Sequence, residues 1–327
     1  MSADLIPVTI LTGFLGSGKT TLLNYILQQT HGHRIAVIEN EFGEAGIDNE
    51  LLVQEQGEQI IEMNNGCICC TVRGDLVRIL GELAAKRKAG TANFDRVVIE
   101  TTGLADPAPV AQTFFVDEDI SQSYMLDAII TLVDAKHAHQ QLDENHEAQE
   151  QVGFADYILL TKTDLVSPLE IQALRTRLSR MNPRAGISES RKGVTALEQI
   201  LDIRGFNLNA ILEFEPDFLN DVAHEHDDDI TSFVFRETQP MDLEKIEEFL
   251  SSIVQVYGAN LMRYKGILHV ANVDKRVVFQ GVHMLMGSDL GTPWAKGEVR
   301  ESKMVFIGKS MPRAMLETGF ARCVVNA

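Results

Sequence analysis

Eight residues near the N-terminus, Gly13-Phe14-Leu15-Gly16-Ser17-Gly18-Lys19-Thr20, carry the spacing G-x-x-x-x-G-K-[ST]. Glycines at Gly13, Gly16 and Gly18 let backbone N–H groups converge on phosphate oxygens, with Ser17 contributing from the same turn. Lys19 supplies a point charge for β- and γ-phosphates, and Thr20 a hydroxyl for Mg²⁺. Thr21 opens the helix-like stretch Thr21–Leu27, whose N-terminus favours anions. A second group follows at Val97-Val98-Ile99-Glu100-Thr101-Thr102-Gly103. Its apolar run delivers Glu100, an acid able to hold Mg²⁺ directly or through water, and Gly103 can place an N–H near the γ-phosphate.

A third group, Thr161-Lys162-Thr163-Asp164, ends another apolar run. The Asp164 carboxylate matches the N1–H and 2-amino donors of guanine. Adenine lacks that pair and would leave the carboxylate unpaired. GTP and GDP are therefore the expected nucleotides, with ATP the runner-up. The Lys162 stem is expected to pack along the base.

The fourth group is Asn65-Gly66-Cys67-Ile68-Cys69-Cys70. Thiolates are soft ligands suited to Zn²⁺ or Cu(I). An extended segment puts Cys67 and Cys69 on one side. A single metal needs three or four ligands, so Cys67, Cys69 and Cys70 need help from outside. Glu39, Glu41 and Glu44, in the loop Glu39-Asn40-Glu41-Phe42-Gly43-Glu44, are the candidates. Buried inert thiols and a redox pair are the other readings of this cluster. Lys19, Glu100 and Glu41 are the candidate catalytic residues. Glu41, Asp48 and Glu100 compete for the task of orienting water.

These loops need strands to hold them. Leu5–Leu11, Arg34–Ile38, Arg96–Ile99, Ala128–Val133 and Tyr157–Leu160 are short apolar runs bounded by polar turns. Stretches near 72–89, 136–150 and 167–181 carry helical periodicity. Such alternation predicts an α/β fold, a mostly parallel sheet covered by helices on both faces. Ligands in such sheets bind beyond the carboxyl ends of the strands, where all four groups fall. An acidic linker is read over 213–229, with His224 and His226 among its acids. Beyond it, strands at Thr231–Phe235, Leu261–Val270, Val277–Gln280 and Lys303–Ile307, with a helix at Asp242–Val254, predict a smaller α+β domain. The expected division is 1–212, 213–229 and 230–322.

A chain of 327 residues suggests about two domains. A formal charge of −18 argues against nucleic acid and against anionic membrane surfaces. No apolar run has the length of a membrane span, and the N-terminus does not read as a signal peptide. Three of the four cysteines lie within four positions, which suits metal or redox use in a reducing compartment better than a disulfide framework. The expected location is the cytoplasm.

Taken together, T-G-F-L-G-S-G-K-T-T, I-E-N-E-F-G-E, G-C-I-C-C, E-T-T-G and T-K-T-D, in this order, resemble the CobW-like P-loop GTPases. These are relatives of the nickel-handling GTPases of urease and hydrogenase maturation. The likeness extends to a CobW-type C-terminal domain from about Thr231, through Arg263-Tyr264-Lys265-Gly266, Gln280-Gly281 and Phe306-Ile307-Gly308. The resemblance implies a GTP-dependent metal chaperone or insertase, with Zn²⁺ the common cargo and Co²⁺ the cargo in cobalamin synthesis. Its partners would be guanine nucleotide, a transition metal, an unidentified client metalloprotein and a candidate second copy of the chain. Slow intrinsic turnover goes with that class. A small-molecule kinase and a non-switching metal buffer are the competing readings. Two departures stand out. The histidine-rich tract of many relatives shrinks to His224 and His226, which argues against a metal reservoir. Phe14 and Leu15 occupy positions where some dimerising relatives carry a lysine that reaches across to a partner.

Remaining residues receive ordinary readings. His137 and His139 read as helix-surface or capping groups, His31 and His33 as cations at a helix end. Trp294 reads as packing, and Arg263 and Lys265 as a solvated strand face. Cys323 reads as incidental.

Overall fold

In the computed structural model, residues 5–29, 32–39, 60–62, 72–203, 205 and 230–325 are described. The acidic linker of 213–229, the cysteine loop and most of the Glu39–Glu44 loop lie outside them. The first part of the chain runs β1 (Ile6–Gly13), α1 (Lys19–Gln28), β2 (Ile35–Glu39), β3 (Ile60–Glu62), α2 (Val72–Lys88) and β4 (Arg96–Glu100). It continues α3 (Ala108–Val116), α4 (Glu118–Ser121), β5 (Tyr124–Asp134), α5 (Ala138–Glu144), α6 (His146–Phe154), β6 (Tyr157–Thr161), α7 (Pro168–Met181) and β7 (Gly186–Glu189).

These strands form one seven-stranded sheet in the order β3-β2-β4-β1-β5-β6-β7, with every pairing parallel. Parallel strands buried on both faces read as continuous apolar runs, and the packing shows why. Leu22, Leu23, Ile26 and Leu27 of α1 cover Leu11, Val37, Val98, Ile130, Leu132 and Leu159 on one face. The residues that alternate with these, Ile10, Ile38, Val97, Ile99 and Ile129, are buried as well. The mostly parallel sheet read from the sequence is wholly parallel among the described strands.

Three local departures have physical causes. The helical stretch over 136–150 is two helices, because Asn145 adopts an extended conformation between α5 and α6. Its Nδ2 donates to Gln141 O (3.2 Å), closing α5. Strand β7, with Gly186 and Ser188, lacks the apolar run that marks a buried strand, and lies at an edge of the sheet. Finally, β5 begins at Tyr124, and its register with β1 jumps from Val8↔Leu126 to Thr9↔Ala128, leaving Asp127 as the extra residue of a bulge.

That bulge organises a buried charge network. Asp127 Oδ2 accepts from Arg96 Nη1 (3.0 Å), Thr9 Oγ1 (3.3 Å) and Asp202 N (3.0 Å). The other arm of Arg96 donates to Asp202 Oδ1. Arg96 and Asp127 are each 1% exposed. Removing one partner of such a pair strands a buried charge, so Arg96→Met is expected to cost about 3–5 kcal/mol. Denaturant unfolding measures this. A loss below about 1 kcal/mol would show that water reaches Asp127 once the guanidinium is gone.

The chain forms two compact units, Met1–Arg175 with Ala185–Phe206, and Thr176–Arg184 with Asn207–Ala327. The second holds β8 (Ile230–Glu237), α8 (Leu243–Tyr257), β9 (Leu261–Leu268), β10 (Lys275–Val282), β11 (Leu285–Pro293), β12 (Ser302–Lys309) and α9 (Arg313–Ala321). Its five strands lie in the order β11-β10-β9-β12-β8, all antiparallel. Ile246, Leu250 and Ile253 of α8, and Leu316 and Phe320 of α9, pack on Phe233, Phe235, Tyr264, Phe279 and Phe306. Each buried ring or branched chain contributes roughly 1.5–3 kcal/mol. Cys323 sits in this core, and burial pushes its thiol up to about 11, so it packs as a small apolar group. Trp294 stacks under the Arg276 guanidinium, 4.5 Å from the ring centre.

Strand β11 has no counterpart in the sequence reading. Its two glycines and terminal proline weaken the strand signal, and it is tolerated because it is an edge strand. Arg263 and Lys265 also correct the reading: each is 3% exposed, not solvated. They alternate with Tyr264, on the sheet face that also carries Val305 and Ile307, both buried. Within this unit Ser232 Oγ, in line with Ile307, donates to Arg180 O (2.9 Å).

Candidate functional site

Parallel register brings the carboxyl ends of β2, β4, β1, β5 and β6 to one edge. Glu39 pairs with Glu100, Leu11 with Glu100, Gly13 with Leu132 and Asp134 with Thr161. The phosphate loop leaves β1 there. Gly13, Gly16 and Gly18 have φ of +144°, +72° and +97°, a region where only glycine is unstrained. A Cβ on Gly13 would also strike the Leu132 carbonyl oxygen. Helix α1 begins at Lys19, directly after Gly18.

The Lys19 side chain is buried and turns back on the loop. Its Nζ donates to Gly13 O (2.7 Å) and Phe14 O (3.4 Å). Burial lowers the Lys19 pKa below the usual lysine value, and the nearby Glu100 carboxylate opposes that shift. Thr20 Oγ1 donates to Glu100 Oε1 (3.1 Å). The two residues named from sequence as Mg²⁺ ligands, 80 positions apart, therefore touch. Ser17 is fully buried, and its carbonyl accepts from Thr161 Oγ1 (2.7 Å). Thr161, expected on the nucleotide, uses its hydroxyl to tie β6 to the phosphate loop. Thr21 is exposed on α1. Gly103 is buried against the loop: a Cβ there would come within 2.8 Å of Leu15 N and Cα.

On the base side Lys162 is left-handed (φ +54°) and starts a short 3-10 turn, Thr163–Leu165. Asp164 projects from that turn and is exposed. Lys162 Nζ donates to Asp134 Oδ2 (2.7 Å), and His137 Nδ1 lies 2.9 Å from the same oxygen. Burial raises the Asp134 pKa, but the hydrogen bonds from Lys162 and His137 outweigh it and hold the carboxyl below its usual range. Asp134 escaped the sequence reading. Its signal was an acid ending an apolar run, the same signal that marks Glu100. His137 stands at the N-cap of α5, as read, and its carbonyl accepts from Gln141 N (2.9 Å), while its ring makes no cap bond and meets Asp134 instead. His33 lies beyond the end of α1, near Asp95 (3.7 Å), not in its last turn; His31 is outside the described residues.

Of the metal candidates, Glu39 is described: its Cα is the register partner of Glu100, and on its other side of Glu62. Glu62 was not singled out from sequence. Glu41, Glu44, Cys67, Cys69 and Cys70 lie outside the described residues. Among the described residues no three His, Cys, Asp or Glu side chains are grouped to hold a metal, and no helix is long and apolar enough to cross a membrane.

A strand, a left-handed glycine loop, a helix-starting lysine and an acid on the adjacent strand define a P-loop nucleotide-binding protein. Residues 7–189 match the family model described as CobW/HypB/UreG, nucleotide-binding domain, and residues 230–324 the cobalamin synthesis protein cobW C-terminal domain. The chain belongs to this CobW/HypB/UreG family. It is 42% identical over 317 residues to the zinc chaperone YjiA of Escherichia coli (strain K12), covering 97% of this chain and 98% of that one. The crystal structure of zinc-bound YjiA GTPase superposes with a TM-score of 0.82 at 37% identity, covering 99% and 100% of the two chains. A zinc-bound YjiA triple mutant, with one glutamate and two cysteines changed to alanine, gives 0.81 at 36%, with the same coverage.

Proposed function

We propose that this chain is a GTP-hydrolysing metal chaperone that couples nucleotide state to the binding and delivery of a transition metal. The observation that carries it is the contact of Thr20 with Glu100 beside Lys19, in a chain similar over nearly its whole length to a zinc chaperone. Asp164 reads guanine, and Asp134 holds Lys162 beside it. Thr20 and Glu100 offer hard oxygen donors that fit Mg²⁺, which would neutralise charge on the bridging phosphates. Lys19 would exchange the Gly13 carbonyl for phosphate oxygens.

The cargo is Zn²⁺ in this reading, with Co²⁺ the alternative, since thiolate accepts both. Cys67, Cys69 and Cys70 would bind it, with Glu39 or Glu44 completing the shell. The register of Glu39 with Glu100 supports coupling: a cargo ligand and a phosphate-side ligand sit on neighbouring strands. Such coupling is worth about 5–150-fold in affinity. Delivery to a client metalloprotein follows hydrolysis.

The test is Zn²⁺ and Co²⁺ affinity with and without Mg²⁺–GTP, for wild type and for a Cys67/Cys69/Cys70→Ser variant. GTP is expected to shift Zn²⁺ affinity in the wild type and not in the variant. Residual zinc on the variant does not decide the matter, because the YjiA triple mutant is zinc-bound. A wild type whose metal affinity ignores GTP would be a metal buffer, and the coupling would be wrong.

A further inference from the structure

Gln151 is a long polar side chain on α6 with 1% exposure. Its Nε2 donates to Gly103 O (3.1 Å) and Ala105 O (3.1 Å), 48 and 46 positions away. Both carbonyls belong to the segment that leaves β4 just after Glu100. Thr101 is still anchored to the sheet, through its N–H to Leu11 O (2.9 Å) and its hydroxyl to Thr12 Oγ1 (2.8 Å). Beyond Thr101 the chain has left the ladder, and the Gln151 amide takes over. Gly103 also meets Leu15 of the phosphate loop at a distance no side chain would allow. The segment is therefore held by α6 and packed closely against the phosphate loop.

The clamp has a direction. Peptide groups are planar and trans, and no cis bond occurs among the described residues. With the Gly103 and Ala105 carbonyls turned toward α6, the N–H groups of Leu104 and Asp106 point away from it. Helix α6 is itself held to the sheet by Thr131 Oγ1, which donates to Gln151 O (2.7 Å).

Packing alone does not explain a glutamine here. Its Oε1 is buried without a hydrogen-bond partner among the described residues, and Gln151 lines a small cavity together with Phe14 of the phosphate loop. A methionine would fill the same volume and remove the orphaned acceptor, but would take this donor from the Gly103 and Ala105 carbonyls. What the amide adds is control of the loop.

We propose that Gln151 is a positioning residue for the γ-phosphate side of the site, holding the Gly103 segment in the orientation that distinguishes GTP from GDP. The inference rests on the nucleotide-hydrolysis reading above. It acts through Gly103 and does not touch nucleotide. The test compares full-length wild type, Gln151→Met and Gln151→Glu in three measurements: GDP affinity, affinity for a non-hydrolysable GTP analogue, and kcat and KM for GTP. Gln151→Met is expected to fold, to keep GDP affinity within about threefold, and to melt somewhat below wild type, because the Gly103 and Ala105 carbonyls lose this donor. Its kcat, or its affinity for the analogue, should fall at least tenfold. Gln151→Glu, which turns a carboxylate toward the same two carbonyls, should show the same pattern. Equal losses for GDP and analogue, unchanged kinetics, or failure of both variants to fold would each make Gln151 structural and overturn the proposal. A wild type that bound no guanine nucleotide would instead overturn the underlying reading.

Discussion

Lys19→Met is expected to lower GTP turnover by about 10²–10³-fold, the loss seen when one charge-stabilising donor is removed from a site of this kind. Lys19 is the one cation the phosphate loop itself carries, and its Nζ lies 2.7 Å from Gly13 O at the loop's mouth. Stability should move the other way. Burial lowers the Lys19 pKa in the folded chain, with Glu100 opposing. Between that lowered value and the usual lysine value, the unfolded chain binds more protons, so stability rises with pH through this window. Below the window the penalty for a buried ammonium is present in full. Nucleotide-free Lys19→Met should then unfold at or above the wild-type temperature at neutral pH. The gap should narrow as pH climbs toward the lysine range. Phosphate release and thermal melts at two pH values read both effects. A variant that melts lower than wild type would show that the bonds to Gly13 and Phe14 support the fold itself.

Asp164→Asn should collapse guanine selectivity. Two charge-assisted hydrogen bonds to the base are worth about 1.5–3 kcal/mol each, so losing the charge should weaken GTP by roughly a hundredfold. ATP affinity, which never used the carboxylate, should not change. Competition binding with GTP and ATP measures the ratio. Asp134→Asn should act in the same direction but less, because it frees Lys162 Nζ without removing the base-reading group. Parallel losses for GTP and ATP at Asp164 would place this residue outside base recognition.

How much of this was legible beforehand depends on how local each feature is. Glycines at Gly13, Gly16 and Gly18 announce left-handed backbone by residue type alone, and the structure has it at all three. Val97–Ile99 announce a strand buried on both faces, so Glu100 at its end had to emerge at a sheet edge. That Thr20 and Glu100 touch follows once β1 and β4 are neighbours. Asp164, the residue proposed to read guanine, is exposed on its turn, where a base could reach it.

Other residues look ordinary in sequence and acquire meaning from partners far along the chain. Gln151 reads as the polar side of a helix until two carbonyls more than forty positions away turn out to be its partners. Arg263 and Lys265 alternate along a strand like solvated residues, yet each is 3% exposed. Asp127 ends up in a bulge that residue type does not announce, and Arg96 waits to pair with it. Strand β11 is tolerated by its edge position in spite of its glycines.

The phosphate cradle, the parallel α/β sheet and the small second domain could be read from residue order alone, because each depends on backbone freedom or apolar periodicity within a few residues. That Asp134 pins Lys162, that Thr161 braces the phosphate loop and that Gln151 holds Gly103 emerged with folding. Those are pairings of single polar groups across the fold. Burial makes an unpaired polar group costly, and which partner answers is settled by packing rather than by neighbours in the chain.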